Sequence, residues 1–232
     1  MKYVILHILC EGQTEERFVK EVLSPYLQQF QIYPKPILLL TSKKKNARGG
    51  MLSYVQAKRD LTILQRQYHD NDSERHLFTT MFDYYALPDD FPGFPEASRI
   101  QDVRGRISFL ENSFSEDIEG SSFIPYIQLH EFEALLFVDI IRLQNEYPLS
   151  GDRIRLLKED TAVYGDPEMI DNSPDTAPSK RIIAAVQRNY HYNKVQSGAA
   201  VTSAIGMESL LDKCRHFREW IERIRLMAIQ NQ

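Results

Sequence analysis

Short apolar segments suited to strands alternate with amphipathic segments suited to helices through about residue 145, and this alternation restricts the fold more than any other feature. Residues 3 to 9, Tyr3-Val-Ile-Leu-His-Ile-Leu9, are almost continuously apolar, the composition of a strand covered on both faces. Thr14 is placed to cap a helix, Glu15 and Glu16 suit its positive end, and Phe18, Val22 and Leu23 give it an apolar stripe that Pro25 disturbs or breaks. Pro36 to Leu40 reads as a second strand and residues 52 to 68 as a helix, with Leu52, Val55, Leu61, Leu64 and Tyr68 near one stripe. His76 to Phe82 reads as a third strand ending at Asp83, and residues 96 to 114 as a helix. Phe123 to Leu129 then reads as a fourth strand and His130 to Leu143 as a helix. Such an order implies an α/β fold with a mainly parallel sheet and helices on both faces.

Beyond residue 145 the pattern is helical. Ser179 to Asn189 forms one expected helix, and Leu210 onward another, with Phe217, Trp220, Ile221 and Ile224 on one face. A loop with Asp171, Pro174, Asp175 and Pro178 precedes them, and Pro88, Pro92, Gly93 and Pro95 mark an ordered loop over the sheet's edge. With no repeat and no linker, the expectation is one domain over 1–232: an α/β core over 1–145 and a helical extension over 146–232 packed on it.

Composition removes several function classes. The longest apolar runs are too short to span a bilayer. The first apolar stretch is shorter than a signal core, contains His7 and runs into Glu11, so a cytoplasmic protein is expected. Cys10 and Cys214 form no CxxC pair and have no zinc-like spacing to histidine. A net charge of −4 disfavours a protein that coats long stretches of nucleic acid. The charge is uneven, however: Lys35, Lys43, Lys44, Lys45, Arg48, Lys58 and Arg59 follow one another with no acid between. Lys43, Lys44, Lys45 and Arg48 in particular suit a phosphate backbone, with a solvated loop as the plain alternative.

Ligands of open α/β sheets bind beyond the carboxyl ends of the strands. Glu11 and Asp83 both follow expected strands, and Gly12 lets the chain turn sharply beside Glu11. Two carboxylates there suit a hard cation such as magnesium (or manganese), which binds phosphate oxygens too and can activate water for phosphodiester cleavage. Glu15 reads first as a helix N-terminal acid and second as a ligand. Glu133 sits among Phe132, Ala134 and Leu135, where an unpaired charge is expensive, so a paired or metal-bridging role is expected. Lys180, after Pro178 at a helix start, is a candidate for phosphate or transition-state charge. Tyr84 and Tyr85 are candidates for stacking on bases, or for packing.

Three stretches carry a resemblance: Glu11-Gly-Gln-Thr-Glu-Glu-Arg-Phe18; Thr80-Met-Phe-Asp-Tyr-Tyr-Ala-Leu-Pro88 with Asp90-Phe-Pro-Gly93; and Gln128-Leu-His-Glu-Phe-Glu-Ala-Leu-Leu-Phe137. Ala177-Pro-Ser-Lys-Arg181 and Ile205-Gly-Met-Glu208 agree with them. Together they resemble a bacterial domain-of-unknown-function family of the Toprim-like group, related to the Toprim domains of overcoming-lysogenization-defect nucleases. The resemblance implies a metal-dependent nuclease or nuclease-like effector, working with an ABC-type ATPase in defence against phage or plasmids. Glu11 and Asp83 would hold the metal with help from Glu15 or Glu133. Toprim nucleases usually carry Asp-x-Asp where this chain has Asp83-Tyr84-Tyr85. Asp89, Asp90, Glu131 and Glu133 are the acids near enough in sequence to replace the missing carboxylate. Without such a replacement the chain would be a non-catalytic docking or regulatory module of an ATPase complex.

Overall fold

A computed structural model of the chain describes residues 2–39, 53–170, 173 and 175–230. Five strands, β1 (Tyr3–Cys10), β2 (Ile32–Leu38), β3 (Glu74–Asp83), β4 (Phe123–Ile124) and β5 (Ile127–Gln128), form a sheet in the order β2-β1-β3-β4, with β5 also on β3. Every pairing is parallel. The helices are α1 (Gln13–Phe18), α2 (Ser24–Leu27), α3 (Tyr54–Gln67), α4 (Phe94–Ala97), α5 (Val103–Asp117), α6 (Gly151–Thr161), α7 (Pro178–Val186), α8 (Lys194–Ile205), α9 (Met207–Lys213) and α10 (Arg215–Ile229). The expected α/β class and the helical C-terminal half are both present.

Alternate residues of the two central strands feed two apolar cores. Leu6, Ile8, Leu77 and Met81 join Phe18, Leu135, Phe217, Trp220 and Ile221 on one face. Leu9, Phe78 and Phe82 join Leu61, Leu110 and Phe114 on the other. Trp220 stacks on Tyr126 at 4.1 Å and donates its indole N–H to Thr79 Oγ1 at 2.9 Å, which seats α10 on the sheet. Among the described residues no helix is long and apolar enough to cross a membrane.

Several elements depart from the sequence expectation, mostly around prolines. β2 begins at Ile32 rather than Pro36, because as an edge strand it tolerates Pro34 and Pro36 with their nitrogens off the ladder. The first helix passes through a π segment at Val19–Leu23, where the Ser24 N–H donates to Val19 O; Pro25 offers no N–H and its ring crowds the preceding turn. The fourth strand is cut in two at Pro125, and side chains replace the missing ladder: Thr79 Oγ1 donates to Ile124 O, and Thr80 Oγ1 both donates to Tyr126 O and accepts from Tyr126 N–H. The helix expected at 96–114 is two, because Asp102 caps α5 by accepting the Gly105 N–H at 2.7 Å. Phe132–Asn145 is 3₁₀ rather than α, with Asp139 in a non-helical conformation inside it. Helices α6 and α8 were not anticipated. Lys43, Lys44, Lys45 and Arg48, like Asp171 and Pro174, lie outside the described residues.

Candidate functional site: a buried carboxylate cluster

β1 ends at Cys10 and β3 ends at Asp83, and the two strands are parallel neighbours. Glu11 and Asp83 therefore leave the sheet side by side at its carboxyl edge. The Asp83 N–H donates to Glu11 Oε2 at 3.1 Å, and Asp83 Oδ1 accepts the Phe132 N–H at 2.9 Å. The latter contact depends on His130, whose φ of 62° turns the chain sharply after β5. Just before it, the Tyr85 N–H donates to His130 O at 2.9 Å and ties the two strand exits together.

Three more acids complete the cluster. Glu15, in the first turn of α1, reaches back so that Oε2 accepts the Gly12 N–H at 2.8 Å, and its side chain is buried. The N-cap is Gly12 rather than Thr14. Glu133 is 1% exposed and Glu131 is 3% exposed. Glu131 accepts the N–H and the hydroxyl of Ser179, both at 3.1 Å, at the start of α7, where an anion meets the positive end of a helix. Lys194 supplies the opposing charge: its Nζ is 2.9 Å from Glu133 Oε1 and 3.9 Å from Glu131 Oε2.

The electrostatics follow from several acids beside Lys194. Burial and the charge of Glu11 push Glu15 up to about 7. Burial also pushes Glu133 up to about 7, against the pull of Lys194 and with the repulsion of Glu131. Asp83 is raised well above the ordinary aspartate value by burial, then by Glu15, Glu11 and Glu133. For Lys194, burial favours the neutral amine, but Glu133 and Glu131 outweigh it and hold the ammonium form above the usual lysine range.

Lys194 is the residue that sequence reasoning missed. It stands at the first position of α8, whose N-cap Asn193 accepts the Gln196 N–H at 3.1 Å. A cation there opposes the helix dipole, so the local rule is broken in favour of a tertiary partner. Close packing puts it in reach. A Cβ on Gly198 would stand 2.9 Å from Phe132 Cε1 and 3.0 Å from Thr14 Cγ2, so only glycine lets α8 approach α1 and the 3₁₀ segment this closely. Asn193-Lys194 followed by the small run Ser197-Gly-Ala-Ala200 was the available signal.

The other candidates are placed elsewhere. Lys180 is exposed in the first turn of α7 and faces a groove between α6 and α7. Asp90 accepts the Ser53 hydroxyl and the Tyr54 N–H at the start of α3, and Asp89 is exposed. Glu131 and Glu133 are thus the acids brought near Asp83. Tyr84 receives a hydrogen bond from Arg106 on its hydroxyl, whereas the Tyr85 side chain is 52% exposed.

Carboxylate oxygens are the donors that magnesium or manganese prefers. Among the described residues no three of His, Cys, Asp and Glu stand as a ready ligand group. A magnesium ion needs fewer, since it retains waters and is commonly held by one or two carboxylates together with substrate phosphate. Glu11 and Asp83 fit that sparse pattern. A family model described as "Domain of unknown function (DUF4276)" matches residues 10–225. No curated protein and no solved structure matches the chain.

Proposed function

The chain belongs to the DUF4276 family, and we propose that it is a magnesium- or manganese-dependent phosphodiesterase of Toprim-like type, a nuclease or nuclease-like effector acting on nucleic acid. The observation that carries this reading is the pairing of Glu11 and Asp83 at the carboxyl edge of adjacent parallel strands, inside a cluster of acids with one lysine. Glu11 and Asp83 would hold the metal, which when bound polarises a phosphoryl oxygen and lowers the pKa of a bound water. Glu15 and Glu133 stand near pKa 7, the range in which a carboxyl can take or give a proton at neutral pH. Lys194 fixes Glu133 and offsets charge that builds on the reacting phosphate, the role first assigned to Lys180. The resemblance to Toprim-like effectors supports a cytoplasmic defence role with an ABC-type ATPase as partner.

A second reading is favoured by one feature. Exposed Tyr85 occupies the place where Toprim nucleases carry their next carboxylate, which suits a non-catalytic docking or regulatory module of an ATPase complex. Calorimetric titration with Mn²⁺ and a cleavage assay with Glu11→Gln separate the two. Gln keeps an oxygen for the Asp83 N–H and removes only the charge. The phosphodiesterase reading expects a bound Mn²⁺ in the wild type, at least tenfold weaker binding in Glu11→Gln, and loss of cleavage with the fold intact. Undiminished cleavage by Glu11→Gln overturns the proposed site, and a wild type without activity in the presence of its ATPase leaves the docking module.

A further inference from the structure

Lys180 does not face the carboxylate cluster, and its surroundings suggest a different use. Helices α6 and α7 enclose a groove of about 480 Å³ lined by Arg153, Asp160, Asp175, Lys180, Arg181 and Arg188. Four cations thus face two acids, on a chain whose net charge is −4. Some exposed cations elsewhere are paired one turn away, as in Arg17–Glu21, Lys20–Glu16, Arg215–Glu219 and Arg155–Asp152. Among the described residues, Arg153, Lys180 and Arg188 have no carboxylate oxygen within 4.0 Å. Arg155 and Arg153 make the contrast on one helix: Arg155 closes on Asp152 at 2.6 Å, and Arg153 is left to the groove. Arg181 is fixed as a wall rather than a free arm, since it donates to Thr176 O and to the Tyr164 hydroxyl and lies over the Tyr164 ring.

The groove is also linked to the cluster. Ser179, adjacent to Lys180 in the first turn of α7, donates twice to Glu131, and Glu131 stands 3.9 Å from Lys194. A ligand seated against the start of α7 lies one residue away from a group that holds the acids. The occupant's chemistry follows from what the groove offers. Unpaired Arg and Lys side chains recognise phosphate by charge, and exposed Leu156 adds an apolar contact. A single strand exposes base faces to such an apolar contact, whereas a duplex keeps them stacked.

We propose that the α6–α7 groove binds the phosphate backbone of single-stranded nucleic acid; the assignment deepens the phosphodiesterase reading and rests on it for the choice of polyanion. The test uses the full chain and a fluorescein-labelled single strand of about 15 nucleotides, as DNA and as RNA, with binding followed by anisotropy over a range of salt concentrations. The triple variant Arg153→Gln/Lys180→Gln/Arg188→Gln is compared with Arg155→Gln/Arg215→Gln, which removes exposed charge away from the groove. Each lost phosphate contact lowers the slope of log affinity against log salt by about 0.7, so the triple variant is expected to lose about 2 from the slope and to bind at least tenfold more weakly at low salt. The control variant is expected to keep the wild-type slope. Equal slopes in triple variant and wild type, equal losses in triple and control variants, or no salt-dependent binding by the wild type would each overturn the groove. Failure of the metal site reads differently: Glu11→Gln, or a wild type without hydrolysis of bis(4-nitrophenyl) phosphate in Mn²⁺, bears on the cluster while groove binding persists.

Discussion

The Asp83 N–H donates to the Glu11 carboxylate at 3.1 Å while the Asp83 carboxylate itself caps Phe132, so each acid is oriented by a backbone group at a strand exit. Like charges held this closely repel, and a bound cation or proton relieves them. Asp83→Asn keeps an oxygen for the Phe132 N–H and removes the acid. Without metal, its melting temperature is expected to equal or exceed the wild type's. Mg²⁺ or Mn²⁺ should raise the wild-type value and leave the variant unmoved. A variant that is stabilised by metal as strongly as the wild type would remove Asp83 from the metal site.

Lys194→Met tests the cation beside Glu133. Breaking a buried pair by removing one partner costs about 3–5 kcal/mol. Lys194 is half-exposed and solvent screens it, so about 1–3 kcal/mol is expected instead. Glu133 carries charge more readily above its raised pKa of about 7, so the loss should be larger at pH 8 than at pH 6. Denaturant unfolding at the two pH values measures it. A loss independent of pH would mean that Lys194 contributes only by packing.

Gly198→Val tests how α8 brings Lys194 to the acids. Its Cβ meets Phe132 and Thr14 at distances that real Cβ atoms rarely show, and overpacking of this kind costs about 1–3 kcal/mol. Gly198→Ala should fall between, since alanine regains about 1 kcal/mol of helix propensity. Thermal melts should therefore rank wild type above Ala above Val, with Mn²⁺ affinity disturbed in the Val protein. A Val variant as stable as wild type would show that α8 does not need the close approach.

Glu168 governs a pH dependence away from the cluster. Fully buried, it accepts the N–H groups of His216 and Phe217 at the start of α10. Burial raises it to about 7 from 4.5, opposed by the charge of His216 and helped by Asp166. The folded state therefore holds the proton more tightly than the unfolded chain. Its contribution to stability is complete below about pH 4.5 and is lost as pH rises towards 7. Burial pulls His216 down, but the hydrogen bond and charge of Glu111 outweigh it and hold it above the ordinary histidine value, so it adds loss in the same direction as pH rises through its folded value. Glu168→Gln should flatten the part of the stability curve between pH 4.5 and 7. An unchanged slope in urea titrations across that window would assign the dependence to other groups.

Strand periodicity made the α/β core readable because covered strands must be apolar and helices must be amphipathic wherever they occur. β1, β3 and the face of α10 with Phe217, Trp220, Ile221 and Ile224 are local statements of that kind, and each is buried as expected. Placing Glu11 and Asp83 at one edge followed from the same logic, since parallel neighbours share their carboxyl ends. Prolines limited the reading: Pro25, Pro34 and Pro125 alter backbone hydrogen bonding, and how the chain compensates depends on partners far away, such as Thr79 and Thr80.

The sequence by itself determined the layered α/β architecture and the two acids at strand ends, because side-chain polarity at a fixed period needs no distant partner; that β1 and β3 are neighbours came from the structure. Only the tertiary structure decided which cation joins the cluster, through Glu133 and Glu131. Lys180 stands at an expected helix start, whereas Lys194 begins a helix that only the structure revealed. The choice of Lys194 rests on the absence of a side chain at Gly198, on the turn at His130 and on the capture of Glu131 by Ser179, contacts between segments dozens of residues apart. Electrostatic partnership depends on distance in space, and that distance is set by packing.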